Sequence, residues 1–246
     1  FRDEKRPRGG LLRVREFMMK DEYSFHATEQ DLLDWYNKFY QAYERITKRM
    51  NLATVPVLAD SGAIGGDYNH EFMVLSASGE DTIFVCTSCH YAANKEKAES
   101  IFPRFVQEEE QKPMQEVEGK GIIGVRALAK FLTIAVAKTT KTLLYQADDR
   151  MIAACVRGEY NVNEKKLARI LGVSHLALAA KEVVKKITGA AVGYAGPLGI
   201  PKNTRVIWDH STKGRINFEA GANKENYHTV NINFGRDIQE PDHYFD

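Results

Sequence analysis

Between Thr28 and Met50 apolar side chains recur at Leu32, Leu33, Tyr36, Phe39, Tyr40, Tyr43, Ile46 and Met50. That three-and-four spacing predicts an amphipathic helix with one buried face and Thr28 as its N-cap. The pattern then changes. VPVLAD, HEFMVLS and TIFVC are short apolar runs separated by the glycine-rich SGAIGGD and a Ser-Gly-Glu-Asp turn, which predicts sheet with loops. Residues 1 to about 100 therefore read as α+β with antiparallel strands. FPRFVQEEEQKPMQEVEGKG, with two prolines, clustered glutamates and no sustained period, reads as a linker.

Beyond it the pattern predicts a helix around Val125 to Val136, a strand KTLLYQA, a turn at Asp148 and Asp149, and a strand MIAACV. Asn163 caps NEKKLARILG, which stops at Gly172, and a further helix runs from about Ala180 to Ile187. GAAVGYAGPLGIP is a glycine- and proline-dense loop, and RVIWD and TVNINF are strands. Helices alternating with short strands indicate a compact α/β sandwich. Two domains follow, 1–103 and 104–246.

Charge and composition narrow the classes without choosing one. Across 246 residues, 34 lysines and arginines nearly cancel 33 aspartates and glutamates, so the net field does not advertise nucleic acid, although a local basic strip can bind it. The longest apolar run, within LAKFLTIAVA, is broken by Lys130 and too short to span a bilayer. Three cysteines make no disulfide framework and suit a reducing cytosol. Cys86, Cys89 and His90 spell CTSCH, which formally matches haem attachment and half of a zinc site, but no second ligand pair accompanies them. The reading is a solvent-facing turn after TIFV, with Cys155 buried.

Chemistry first shows at the chain's opening, FRDEKRPRGGLLRVREF. In extended backbone Arg2 and Glu4 share a face, and after the loop KRPRGGLL so do Arg13, Arg15 and Phe17. Guanidinium for phosphate, an aromatic plate for a base and a carboxylate for an exocyclic amine suit a nucleotide. Alternation alone favours a solvated charged hairpin.

FRDEKRPRGGLLRVREFMMKDEYSFH resembles motif 2 of class II aminoacyl-tRNA synthetases, specifically the bacterial-type prolyl enzymes. The resemblance continues through ADSGAIGGDYNHEF, SGEDTIFV, YAAN, KTTKTLL, VRGEYNVNEKKL, GPLGIP, FEAGANKENYH and NINFGRD, in order along the whole chain. It implies part of a class II antiparallel-sheet catalytic domain plus an inserted α/β editing domain of deacylase type. Motif 1, motif 3 and the anticodon-binding domain have no counterpart here, so the chain is expected to be a piece of a larger synthetase.

By the same resemblance Arg2 would hold the ATP α-phosphate, Glu4 would contact adenine, Arg13 would lie near the distal phosphates and Phe17 would stack on the base. His26 and the loop from Gly65 to Phe72, with His70 and Glu71, resemble the proline pocket, although DYNHEF departs from the commoner small-residue loop and structural roles for both histidines stay open. Lys141 matches the editing family's lysine, Gly193 and Pro197 with Gly196 between them its Gly-x-x-x-Pro loop, and Asp209 and His228 its aspartate and histidine, 19 residues apart.

The implied chemistry is double sieving. Alanine enters any pocket that admits proline, because missing methylenes forfeit only about 1–3 kcal/mol each, so a second site must hydrolyse the mischarged alanyl ester. Glycine-loop amides would stabilise the oxyanion, Lys141 would hold a tRNA phosphate or ribose oxygen, and His228 would sieve by size, with orientation of water as its secondary role. Attack by water without a metal is expected. The bland alternatives are a rigid turn at GPLGIP and a solvated strand residue at Lys141. The whole enzyme is expected to use ATP and Mg²⁺, to bind proline and tRNA(Pro), to be a cytoplasmic homodimer, and to involve no membrane. A non-catalytic tRNA-binding paralogue and a free-standing deacylase are the other classes considered.

Overall fold

The structure, a computed structural model, describes residues 1–62, 65–66, 68–99 and 109–245. The first part of the expected linker and the 103/104 boundary lie outside these residues. Contacts divide the chain into two units, Phe1–Val55 with Phe72–Ala77, and Pro56–Glu71 with Ser78–Asp246.

In the first unit Thr28 caps α1 (Glu29–Arg49), its side chain accepting from the Asp31 amide, with acidic residues in the first turn and basic ones in the last. This polarity complements the helix dipole. Tyr40 and Tyr43 pack their rings on Phe72. The expected buried face is only half covered: no described residue of α1 is fully buried, and Leu32, Tyr43 and Ile46 stay exposed. The opening segment forms a single antiparallel bridge, Arg8 to Arg13, around Gly9 and Gly10, both at positive φ. The expected strand alternation is replaced by a loose turn, because two glycines and a proline leave few ladder positions.

The chain continues through β1 (Thr54–Leu58), β2 (His70–Val74), β3 (Ile83–Val85) and β4 (Ala92–Asn94). β3 pairs with β4 antiparallel, but β1 and β4 run parallel at Leu58 and Ala93, unlike the expected all-antiparallel arrangement. The stretch between them is long enough for the crossover that parallel strands need. Cys89 is exposed, Cys86 is half-buried and Cys155 is buried, as expected for the CTSC turn and MIAACV.

Next come β5 (Gln115–Glu118), α2 (Val125–Leu132), β6 (Thr140–Ala147), β7 (Arg150–Arg157), α3 (Glu164–Leu171), β8 (Leu176–Leu178), α4 (Lys181–Thr188), β9 (Thr204–Asp209), β10 (Phe218–Gly221), β11 (Tyr227–Ile232) and β12 (Tyr244–Phe245). Asn163 caps α3 and Gly172 ends it in the left-handed conformation, as the sequence pattern predicts. α2 stops at Leu132, short of Val136, because Thr133 turns left-handed at φ 55. β5 lies in the expected linker; only Val117 of its four residues is partly covered, so an edge strand leaves little hydrophobic trace.

Among the described residues β5 to β12 form two further sheets, β12-β9-β7-β6-β8 and β10-β11-β5. Strand alternation sorts the first sheet's side chains. On one face Leu143, Tyr145, Ala147, Ile152, Ala154 and Ile207 pack with Leu167 of α3. On the other, Cys155, Trp208, Phe218, Ala220 and Ile232 form a core shared with the second sheet, and Leu144 and Ala153 pack with Val184 of α4.

Phe218 lies under Trp208 and Phe234 with no exposed surface. Phe218→Ala should therefore cost about 3–5 kcal/mol in urea unfolding, whereas Lys165→Ala, which removes an ion pair to Glu96 at the surface, should cost under about 1 kcal/mol. Equal losses would show that the two-sheet core is not where stability resides.

Candidate functional site

The loop GYAGP is shaped by backbone lying against backbone. A Cβ on Gly196 would stand 1.7 Å from the Gly221 carbonyl oxygen, and one on Gly221 would stand 2.3 Å from that of Ala195. Only glycine fits either position. Gly193, at φ 106, uses a conformation that side chains rarely adopt. Asn223 clamps the loop: its side-chain oxygen accepts the Gly196 N–H at 2.8 Å, and its amide nitrogen donates to the carbonyls of Gly196 (3.0 Å) and Leu198. The Gly196 N–H is thus committed to Asn223, which removes it as an oxyanion donor. Gly193 is exposed, and its amide has no hydrogen-bond partner among the described residues.

His228 sits beside this loop, its ring 5.4 Å from that of Tyr194. It is buried to 1% exposure, with Nδ1 3.0 Å from Glu219 Oε1 and Nε2 3.1 Å from the Ile122 carbonyl oxygen. Glu219 is equally buried, and burial pushes its carboxyl upward, opposed by the His228 bond. Arg215 completes the cluster. Its guanidinium donates to Thr140 Oγ1 and the Thr139 carbonyl, both at 3.0 Å, and burial pulls its pKa down to about 9.

Lys141 and Asp209 lie elsewhere. Thr140 turns its hydroxyl toward Arg215, so Lys141, its neighbour on β6, projects to the opposite, α3 face. There its Nζ donates to the Tyr160 carbonyl at 2.6 Å and to Asn161 Oδ1 at 2.8 Å. Lys141 is half-buried rather than a solvated strand residue, and burial lowers its pKa. Asp209 accepts from the Ser211 amide at 2.9 Å and lines, with Tyr160, Asn161, Asn163, Lys166 and Trp208, a cavity of about 190 Å³. The structure therefore brings the glycine loop to His228 through Tyr194, places Pro197 in a cavity lined by Arg205, Trp208 and Ile238, and groups Lys141 and Asp209 around Tyr160 and Asn161.

The nucleotide candidates form two pairs in the first unit. Arg13 Nε donates to Glu4 Oε2 at 2.9 Å, and the Arg2 guanidinium lies 5.3 Å from the centre of the Phe17 ring. The Arg6 amide and then Arg13 hold the Glu4 carboxyl below its usual range. His26 has both ring nitrogens engaged, with Asp31 at 2.8 Å and Ser24 at 2.7 Å. In the second unit His70 is half-buried and burial lowers its pKa, while Glu71 is exposed. No group of three potential metal ligands occurs among the described residues.

Glu219, Asn223 and Arg215 escaped the sequence reading. A buried glutamate is written with the same letter as a solvated one, and FEAG offers no alternation to mark it. The nearest signal was Gly221 three residues from Phe218, since a strand glycine often marks close backbone approach.

Residues 120–238 match the family model for the aminoacyl-tRNA editing domain. Over 238 residues the chain is 46% identical to the proline–tRNA ligase of Geobacter sp. (strain M21), an alignment covering 97% of this chain and 42% of that protein. The proline–tRNA ligase of Pelotomaculum thermopropionicum is 47% identical over 241 residues, with the same shares covered. The chain thus spans about two fifths of the length of these relatives. A solved structure of a candidate trans-editing enzyme for prolyl tRNA synthetase aligns with 48% of this chain and 74% of its own at 20% identity, with a TM-score of 0.44.

Gly196→Ala should destabilise the fold by about 3 kcal/mol, because the atom it meets is backbone and cannot yield as a flexible side chain would. A urea midpoint unchanged from the parent would show that the loop is not seated on β10.

Proposed function

We propose that this chain, similar over 97% of its length to proline–tRNA ligases and carrying an aminoacyl-tRNA editing domain at 120–238, is the part of a proline–tRNA ligase that proofreads by hydrolysing mischarged alanyl-tRNA(Pro). The observation that carries this reading is the glycine loop seated on β10 beside a locked histidine, inside the segment that matches the editing family. Residues 104–246 are assigned to editing and 1–103 to a class II catalytic domain.

The ester carbonyl of the 3′-terminal alanine lies at Gly193, whose exposed amide supplies one oxyanion donor. Water attacks the carbonyl carbon, the C–O bond to the ribose breaks, and a proton passes to the departing 3′ oxygen. Cys155 is no competing nucleophile, because it is buried and its thiol is pushed up to about 12 by that burial. Lys141 has two ammonium hydrogens engaged by Tyr160 and Asn161, which leaves one N–H for a phosphate or ribose oxygen. Because Thr140 and Lys141 begin β6, the acceptor end crosses the sheet margin there, with its ester on the His228 side and its phosphate on the Lys141 side. Asp209 shapes the Lys141 side by holding the turn at Ser211. His228, with both ring nitrogens occupied, contributes size and shape rather than a free base.

In the catalytic domain Arg2 and Arg13 suit ATP phosphates and Phe17 suits the base, with Glu4 as the polar contact. His26, His70 and Glu71 are assigned to the proline pocket. ATP with Mg²⁺, proline, tRNA(Pro), a homodimer and a cytoplasmic setting belong to the whole ligase. Among the described residues no helix is long and apolar enough to cross a membrane.

The test is deacylation of Ala-tRNA(Pro) against Pro-tRNA(Pro). The parent should hydrolyse the alanyl ester selectively, and Lys141→Ala should reduce the rate at least tenfold while the variant stays folded, with about 1–2 kcal/mol lost in urea unfolding for the two bonds given up. Absence of alanyl-ester hydrolysis by the parent would overturn the reading. His228→Ala should lower alanyl-ester turnover and also relax selectivity, so that Pro-tRNA(Pro) begins to be cleaved; equal loss on both esters would assign the histidine to chemistry instead.

Burial favours the neutral form of Lys141 and lowers its pKa, so the ammonium needed for an anion is lost earlier than in a free lysine. The deacylation rate should therefore fall as pH rises toward 10.5, and Lys141→Arg should abolish that decline. A flat alkaline limb in the parent would remove the charge from Lys141's role.

A further inference from the structure

We propose that Glu219 is a positioning residue of the editing site: its carboxyl group shares one proton with His228 and ties β11 to the start of β6, beside Lys141. The proposal rests on the editing reading above, and goes beyond it by giving the histidine a partner and a fixed state.

The proton count follows from the two contacts of the ring. A backbone carbonyl only accepts, so Nε2, 3.1 Å from the Ile122 oxygen, carries a hydrogen. Nδ1 lies 3.0 Å from Glu219 Oε1, and two lone pairs do not meet at that distance in a buried site, so a second proton lies between them. The pair is either imidazolium with carboxylate or imidazole with carboxylic acid. In both forms it is net neutral and holds one shared proton. Both side chains are almost wholly buried, so this proton is not exchanged casually with water.

Glu219 also reaches the other half of the site. Its Oε2 faces the Thr140 N–H at 3.4 Å, and Thr140 is the residue before Lys141. Arg215, from the segment entering β10, holds Thr139 and Thr140 by two further bonds. On the same four-residue strand Gly221 supports Tyr194 and Ala195, and Gly221 is paired with His228 in the ladder. One short strand therefore touches the glycine loop, the histidine and the strand bearing the lysine. The carboxyl group at 219 makes side-chain hydrogen-bond contacts to both β11 and β6.

The experiment compares Glu219→Ala, Glu219→Gln, His228→Ala and the double variant Glu219→Ala/His228→Ala by kcat and KM for Ala-tRNA(Pro), alongside ¹⁵N resonances of the His228 ring. Glu219→Ala should lower kcat at least tenfold, with a smaller change in KM. Glu219→Gln should restore most of that loss, since its amide can donate to Nδ1 while its oxygen accepts from Thr140. The double variant should be no worse than His228→Ala alone, as expected for residues acting as one unit. The parent and Glu219→Gln should show one fixed ring state, whereas Glu219→Ala should show tautomer exchange.

Parent-like turnover by Glu219→Ala, losses that multiply in the double variant, or a freely exchanging ring in the parent would each overturn the proposal. If Glu219→Ala does not fold, Glu219→Gln decides: a ring indistinguishable from free histidine in that folded variant defeats the assignment. If the parent hydrolyses no mischarged tRNA, the editing reading has failed, and the ring resonances alone judge whether Glu219 fixes His228.

Discussion

The contact between Gly196 and Gly221 is the constraint on which the candidate site depends. Two main chains approach so closely that a single methyl group on either would overlap a carbonyl oxygen. Everything near it is set by that approach. Asn223 can bridge the Gly196 amide and carbonyl because the loop lies within reach of β10's end, and Tyr194 is thereby brought against the His228 ring. A loop held by backbone packing and by both ends of a side-chain amide loses little entropy when a substrate arrives, which is the advantage of pre-organisation.

Such rigidity is set against a cost below the loop, where the fold buries Arg215, Glu219 and His228 together. Buried charges are expensive unless paired and hydrogen-bonded, and replacing such groups with apolar residues is often stabilising. Here the pairing is nearly complete, but among the described residues the Arg215 Nε has no hydrogen-bond partner. Arg215 instead lays its guanidinium over Phe218, 4.7 Å from the ring centre, which recovers part of the attraction lost from water. A core concerned only with stability would place aliphatic side chains here. The polar cluster lies within residues 120–238, the segment that matches the editing-domain family model.

Sequence reading succeeded where structure is decided locally. Thr28, Asn163 and Gly172 mark helix ends through bonds within one turn. It failed where partners are distant. β5 is a strand because β11 lies beside it, about 110 positions along the chain, and QEVE itself carries no such instruction. The apolar stripe of α1 was legible, but how much of it is covered depends on surfaces that periodicity does not name. For the candidate site, motif matching picked out the loop and His228, yet could not show that Gly196's amide is bonded to Asn223 or that Glu219 lies against the His228 ring. Those facts live in long-range geometry, not in residue type.

The division of Lys141 and Asp209 from His228 follows from the same strand physics. Along β6 successive side chains must face opposite ways, so no strand can present Thr140 and Lys141 to one surface. The sheet's α3 face accommodates the lysine because Tyr160 and Asn161, just after β7, curl over it and solvate its ammonium with oxygen atoms. The opposite face accommodates Thr140 because Arg215 is there to meet its hydroxyl. A substrate engaging both groups has to pass the margin of the sheet rather than enter a single pit. The two faces are joined through the start of β6, where Thr140 meets Arg215 on one side and Lys141 meets Tyr160 and Asn161 on the other.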